Sequence, residues 1–246
     1  MKKSLIFLIT IISQINSFSL NAAETCFENL GAIYNITNSV LNTEHHKNNS
    51  IDEGTTFELW RKGNELLHIT PQKEMTIKWH KLINGDVRKV NFFDQYERGI
   101  EFEPIKISKE NWQLKQQLVS DKQIEKMTLS ATKGKGCERT EHYQLKNETT
   151  SIDLWWFPSL KLAQKIIYTD KNNSTTWLLK NKIVSKDTIA NVFNKNEHYQ
   201  MTDYADIGDN ESDPFLRKMI HLGFVAHGNS GFYDAQGNQL STKHQH

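Results

Sequence analysis

The sequence predicts an α+β chain: a curved antiparallel β-sheet, or unclosed β-barrel meander, covered by a few helices. Three observations carry that prediction. Apolar and polar residues alternate with period two over long stretches after Thr55. Asn84-Gly85 stands between two such runs, the strongest short-range hairpin signal. Two helical segments with capping residues at their starts, at Ser185 and at Asp213-Pro214, follow the strand-rich region.

The chain opens MKKSLIFLITIISQINSFSLNAAE. Lys2 and Lys3 form a positive start, Leu5 to Ile12 an apolar core too short to span a bilayer, and Ala22-Ala23 a small-residue cleavage site. Residues 1–23 are therefore expected to be a signal peptide that directs a soluble protein to the periplasm. Glu24 and Thr25 precede Cys26 where a lipid-anchored protein would carry small residues. The remainder, 24–246, is expected to form a single β-rich domain with a helical, acidic extension from about residue 200. The chain has 30 basic and 29 acidic residues; without Lys2 and Lys3 the balance is 28 to 29. That balance, with no basic stripe, argues against nucleic acid as a partner. Cys26 and Cys137 are the two cysteines, and an oxidising compartment predicts a disulfide between them.

Residues 27–42 carry apolar side chains at Leu30, Ile33, Tyr34, Thr37, Val40 and Leu41, a helical spacing, and predict a helix. "TTFELWRKGNELLHIT" reads as two strands turning at Lys62-Gly63. In "EMTIKWHKLINGDVRKVNFFDQYERGIEFEP", Met75, Ile77 and Trp79 alternate with polar residues, the chain turns at Asn84-Gly85, and Val87 to Phe93 returns. Ile100 and Phe102 continue the alternation until Pro104. A short helix is expected around Trp112. "KMTLSA", the KGKG turn and "CERTEHYQLK" form a further hairpin; "TSIDLWWFP", "SLKLAQKIIYT" and "TTWLLKNKIV" read as strands. Trp155 and Trp156 must point to opposite faces, so a helix, a partner or a ligand is expected to cover one of them. "SKDTIANVFN" is helical. The last helix starts at Asp213-Pro214 and buries Phe215, Met219 and Leu222.

Candidate chemistry is sparse. Asp203, Asp206, Asp209, Glu211 and Asp213 crowd one loop, as Ca²⁺ would need, but the spacing departs from an EF-hand and a helix cap explains it. His244 and His246 in the tail, and His45-His46, offer imidazoles to Cu²⁺ or Zn²⁺. "HGNSGF" places His227 near Ser230 but lacks the G-x-S-x-G of a nucleophile elbow. No phosphate-binding loop and no cofactor motif occur, and the chain is expected not to be an enzyme. Phe57, Trp79, Phe92 and Phe102 alternate along strands and are the expected lining of an apolar site.

The segments "FELWRKGNELLHI", "INGDVRKVNFF", "RGIEFEP" and "IDLWWFPSLKLAQKI", within residues 27–185, resemble the outer-membrane lipoprotein-sorting family of periplasmic carriers and related sensor domains. The resemblance implies an unclosed barrel closed by helices, with an apolar cavity for acyl chains. The section 200–246 departs from that pattern. The expected function is a soluble periplasmic binding or carrier protein, holding an apolar small molecule, a lipid or a lipoprotein acyl chain and making transient contact with envelope proteins. The alternatives are a metal-binding accessory protein (Cu, Zn or Ca) and a hydrolase.

Overall fold

The computed structural model describes residues 26, 29–41, 54–210 and 212–221. Twelve strands form one sheet: β1 Leu30–Val40, β2 Thr55–Lys62, β3 Glu65–Thr70, β4 Met75–Lys81, β5 Val87–Phe93, β6 Arg98–Ile105, β7 Thr128–Lys133, β8 Thr140–Lys146, β9 Ser151–Phe157, β10 Leu162–Thr169, β11 Asn173–Ile183 and β12 Gln200–Asp203. Their order is β12-β6-β5-β4-β3-β2-β1-β11-β10-β9-β8-β7, so the sheet is unclosed, with β12 and β7 at its edges. Among the described residues four helices accompany it: α1 Lys109–Gln117, α2 Asp121–Ile124, α3 Lys186–Asn194 and α4 Pro214–His221. The sheet is mixed rather than wholly antiparallel, because β12 runs parallel to β6.

The expected hairpins form. Gly63, at φ 56, turns β2 into β3. Between β4 and β5 the loop is wider than two residues: Leu82 and Asp86 close it, Gly85 adopts φ 89, and the Asn84 side chain accepts from the Asp86 amide. The turns after β3 and β5 are built alike. Each is a three-residue 3-10 turn followed by a glutamate, Glu74 or Glu97, held at φ 48.

Residues 30–40 form a strand where helical spacing predicts a helix. Leu30, Ala32, Tyr34 and Ile36 are buried at period two as well. Ile33, Ile36, Thr37 and Val40 are β-branched and lose rotamer freedom in a helix. Pairing with β2 on one side and β11 on the other satisfies both backbone edges. Residues 27, 28 and 42 lie outside the described residues.

Cross-strand register assigns the two faces. Leu59, His68, Ile77, Asn91 and Ile100 form one row; Arg61, Leu66, Trp79, Lys89 and Phe102 form the next. These rows share one face with Tyr34, Ile36, Trp177, Ile166 and Leu154. The sheet curls towards that face. Arg61 on β2 donates to the carbonyls of Leu160 (2.7 Å) and Lys161 (3.0 Å) in the β9–β10 turn. Tyr34 on β1 donates to Ala163 on β10 at 2.8 Å. In a flat sheet β2 and β10, three strand spacings apart, would be separated by roughly 14 Å. Bulges at Ile33/Tyr34 and Ala163/Lys165 supply local bends.

The inner face is covered in sections. Trp112 of α1 packs on Leu66, Trp79 and Val87. Leu118 and Val119 join the core of β1, β2 and β9–β11. Phe215, Leu216 and Met219 of α4 pack on Phe93, Ile100 and Ile207. On the outer face α3 sets Ile189 and Phe193 against Trp60 and Leu67. Trp156 is buried inside, whereas Trp155 on the outer face is covered by its own cross-strand neighbours rather than by a separate layer: His142 stacks on it at 4.2 Å and Lys165 lies 5.1 Å from its ring.

The Cys26–Cys137 disulfide forms as expected, with Cα atoms 5.5 Å apart and a sequence separation of 111. It ties the start of the described chain to the β7–β8 connection. Closing so long a loop stabilises by about 4–5 kcal/mol on the chain-entropy account. Replacing both cysteines by serine should therefore lower the melting temperature by roughly 8–20 °C, followed by circular dichroism; an unchanged melting temperature would contradict this.

Gly31 and Gly99 make a second test. A Cβ on Gly31 would collide with the ring carbons of buried Trp60, whereas one on Gly99 meets chiefly the flexible thioether of exposed Met201. Gly31→Ala should cost roughly 1–3 kcal/mol in urea unfolding, clearly more than Gly99→Ala.

Candidate functional site

The candidate site is the inner face of β3–β6 beneath α1. Ser108 starts α1 by accepting from the Asn111 amide at 3.1 Å, and Leu118 ends it at φ 68. Ser120 and Gln123 then cap α2 reciprocally. Gln113 and Gln117 both donate to Asp121, at 2.6 and 3.1 Å, which clips the two helices together. A helix laid on a greasy sheet ordinarily buries an apolar stripe. Here α1 buries Trp112, Lys115 and Gln117. Trp112 supplies its apolar contact, and Lys115 stands beside it.

Lys115 is 5% exposed, and its ammonium lies 3.8 Å from the centre of the Trp79 ring. Lys89, half-buried, lies 4.3 Å from the Phe102 ring and 5.8 Å from the Trp79 ring. No ion pair among the described residues involves either lysine. Burial, and then the charge of Lys89, pushes Lys115 down to about 8; burial also lowers Lys89. A desolvated cation–π contact returns about 2 kcal/mol. Removing an ammonium from water costs several kcal/mol. The aromatic contacts leave the two charges undercompensated.

Neighbouring polar atoms are unmatched too. The Trp79 Nε1 donor and the Asn91 Oδ1 acceptor are buried with no hydrogen-bond partner. His68, next in the row, places Nε2 2.7 Å from the Lys115 carbonyl oxygen, which the neutral ring serves as donor. Burial pushes its imidazole down to about 4, so it adds no charge near neutral pH. It stands in edge contact with Phe57 at 5.3 Å and Trp79 at 6.5 Å.

Of the expected lining residues, Phe57, Trp79 and Phe102 share this inner face. Phe57 meets Trp177 edge-on at 5.2 Å, and Phe102 stacks on Tyr204 at 4.8 Å. Phe92 does not join them. It pairs with Thr76 and Gly99, one step out of phase with Trp79, and packs outside against Tyr199. There it lines a cleft of about 230 Å³ between the outer sheet face and the α3–β12 connection. That cleft is balanced in charge: Lys78 pairs with Glu65 at 2.5 Å and Arg88 with Glu101 at 3.1 Å.

His244, His246, His45, His46, His227 and Ser230 lie outside the described residues. The acidic stretch is spread over separate elements. Asp203 ends β12, Asp206 sits in a 3-10 turn, and Asp213 caps α4 by accepting from the Phe215 amide at 2.8 Å. Asp213 also pairs with Arg98 at 2.9 Å. Among the described residues no cluster of three or more metal-type side chains occurs.

Sequence reading missed one polar array, Ser130–His142–Asp153. Ser130 Oγ is 2.9 Å from His142 Nδ1, and His142 Nε2 is 3.0 Å from Asp153. Ser130 Oγ also lies 3.0 Å from the His142 carbonyl oxygen, a competing acceptor for its proton. The set runs across adjacent strands on the outer face, where β7 is exposed at every residue, and fastens that edge strand to β8 and β9. A strand alternation that brings Ser, His and Asp to one face was the available signal.

No family model matches the chain, and no curated protein matches it. Similar solved structures include PNGF-II, at 11% identity over 72% of this chain and 31% of that one, with a TM-score of 0.37. Others are MucB in complex with MucA(peri), at 11% identity, 65% and 53% coverage and a TM-score of 0.31, and the Pseudomonas aeruginosa MucA/MucB complex, at 9%, 65% and 54%, and 0.30. The chain spans under a third of the PNGF-II chain and about half of the MucB-complex chains. These partial overlaps carry no functional weight.

The buried ammonium has a pH signature. Lys115 has a folded pKa of about 8 against an ordinary value of 10.5. Between those values the unfolded chain binds the extra proton, so stability rises with pH across that window and the full penalty applies below it. Lys115→Met should be at least as stable as the parent at pH 7 and should lose that rise. A destabilised Met variant would show that the ammonium is compensated within the fold.

Proposed function

We propose that the protein is a non-catalytic binding or carrier protein of the periplasm that holds an apolar or acyl chain between the inner sheet face and α1. One observation carries this reading: beside Trp112 the helix lying on an aromatic sheet face buries Lys115, a lysine without a carboxylate partner, against Trp79, where a helix completing a core would turn leucine. Trp79 and Phe102, with Phe57 at the border of the neighbouring core, offer the apolar wall. The resemblance of residues 27–185 to the lipoprotein-sorting family supports an acyl ligand, with a lipoprotein or another envelope protein as its donor or acceptor. The leader-like start and the Cys26–Cys137 disulfide support export to an oxidising compartment. Among the described residues no helix is long and apolar enough to cross a membrane.

Native mass spectrometry of protein purified from its own host tests the reading. A co-purifying lipid of discrete mass, lost from a Phe57→Asp/Phe102→Asp variant that keeps the parent circular dichroism spectrum, is the expected result. Ligand-free protein that also takes up no added lipid or fatty acid would overturn it.

A further inference from the structure

The reading of a bound chain leaves its polar end undefined, and the charges beneath α1 define it. We propose that Lys89 and Lys115 form the headgroup subsite of the inner-face site, and that the ligand is an anionic amphiphile, its carboxylate or phosphate monoester held by the two ammoniums beside Trp79. This inference rests on the binding reading above and adds the sign of the headgroup.

Four observations on independent elements converge. Lys115 comes from α1 and Lys89 from β5, yet both ammoniums lie within 6 Å of the same Trp79 ring. Neither has a carboxylate partner among the described residues. The Trp79 indole N–H, a donor only, is buried and unmatched. Asn91, 4% exposed and two residues from Lys89 on the same face, has a buried side-chain oxygen without a partner. Its amide end, turned about χ2, is a further donor. An anionic oxygen group would receive charge-assisted hydrogen bonds from both lysines and satisfy the indole N–H. A neutral alcohol would leave the two charges as undercompensated as they are now.

The contrast with the outer cleft sharpens the assignment. There Lys78 and Arg88 each have an acid beside them. Under α1 the two cations stand together, and each raises the cost of the other. Such a pair persists in a fold when something outside it compensates, and replacing it by apolar groups would otherwise stabilise the chain.

The test uses the full chain, stripped of lipid, with the neutral fluorophore N-phenyl-1-naphthylamine as a reporter of the apolar wall. Dodecanoate, dodecyl phosphate and dodecanol, each below its micelle concentration, compete for it at pH 7. The expected result is reporter binding, with one or both anions displacing it at least ten-fold more effectively than dodecanol. The better of the two identifies the headgroup as carboxylate or phosphate. Lys89→Met and Lys115→Met should each shrink that preference while retaining reporter binding, and Lys115→Arg should keep it. Equal displacement by anions and alcohol, or a preference unchanged in both Met variants, would overturn the headgroup assignment while leaving the apolar site standing. Failure of the reporter and all three competitors to bind the parent would overturn the binding reading itself.

Discussion

The inward curl of the sheet is the constraint on which the remaining architecture depends. A twelve-stranded sheet left flat would expose two broad apolar surfaces that four short helices could not cover. Arg61 prevents this by carrying its guanidinium from β2 to the carbonyls of Leu160 and Lys161, and Tyr34 reaches Ala163 beside it. Both side chains are buried, so these bonds form away from competing water. The curl brings Leu59, Trp177, Ile166 and Leu154 into one core and gives the sheet an inside. Without an inside, α1 would have no face to lie on and Lys115 no reason to be buried.

Within that frame the energetics divide into two regions. At β1, β2 and β9–β11, and again beneath α4, large apolar groups fill the inner side in the usual way. Under α1 the pattern changes: two ammoniums without a carboxylate partner lie against Trp79, whose indole N–H, like the Asn91 side-chain oxygen, is buried and unmatched. Proteins accept such local losses where a ligand or reaction restores the balance. The outer cleft differs: its Lys78 and Arg88 are paired with Glu65 and Glu101. Position and charge together make the inner face the better candidate for binding.

Much of the fold was legible in the residues. Gly63 and Asn84-Gly85 announced hairpins because the turns need positive φ, and Ser185 and Asp213 announced helices because free amides need an acceptor. Residues 30–40 were misread because Leu30, Tyr34 and Leu41 fit a helical period while Leu30, Ala32, Tyr34 and Ile36 fit a strand period. Sheet partners more than 100 residues away in one direction decide between them. Phe92 and Phe93 illustrate a finer limit: adjacent aromatics occupy opposite faces, and register alone assigns Phe93 to the inside. The convergence of Lys89 and Lys115 was beyond sequence reading, since it depends on how α1 docks. Its faint trace is a lysine three residues after Trp112, on the same face of the helix.

Lysine ¹³Cε NMR of the lipid-free chain, with Lys115→Arg to assign the resonance, probes the central claim at the atom concerned. The account predicts that Lys115 titrates near 8 in the free protein and moves towards the ordinary lysine value when dodecanoate or dodecyl phosphate is added, while dodecanol leaves it in place. A Lys115 resonance that titrates like an exposed lysine from the outset, or that ignores both anions, would contradict it.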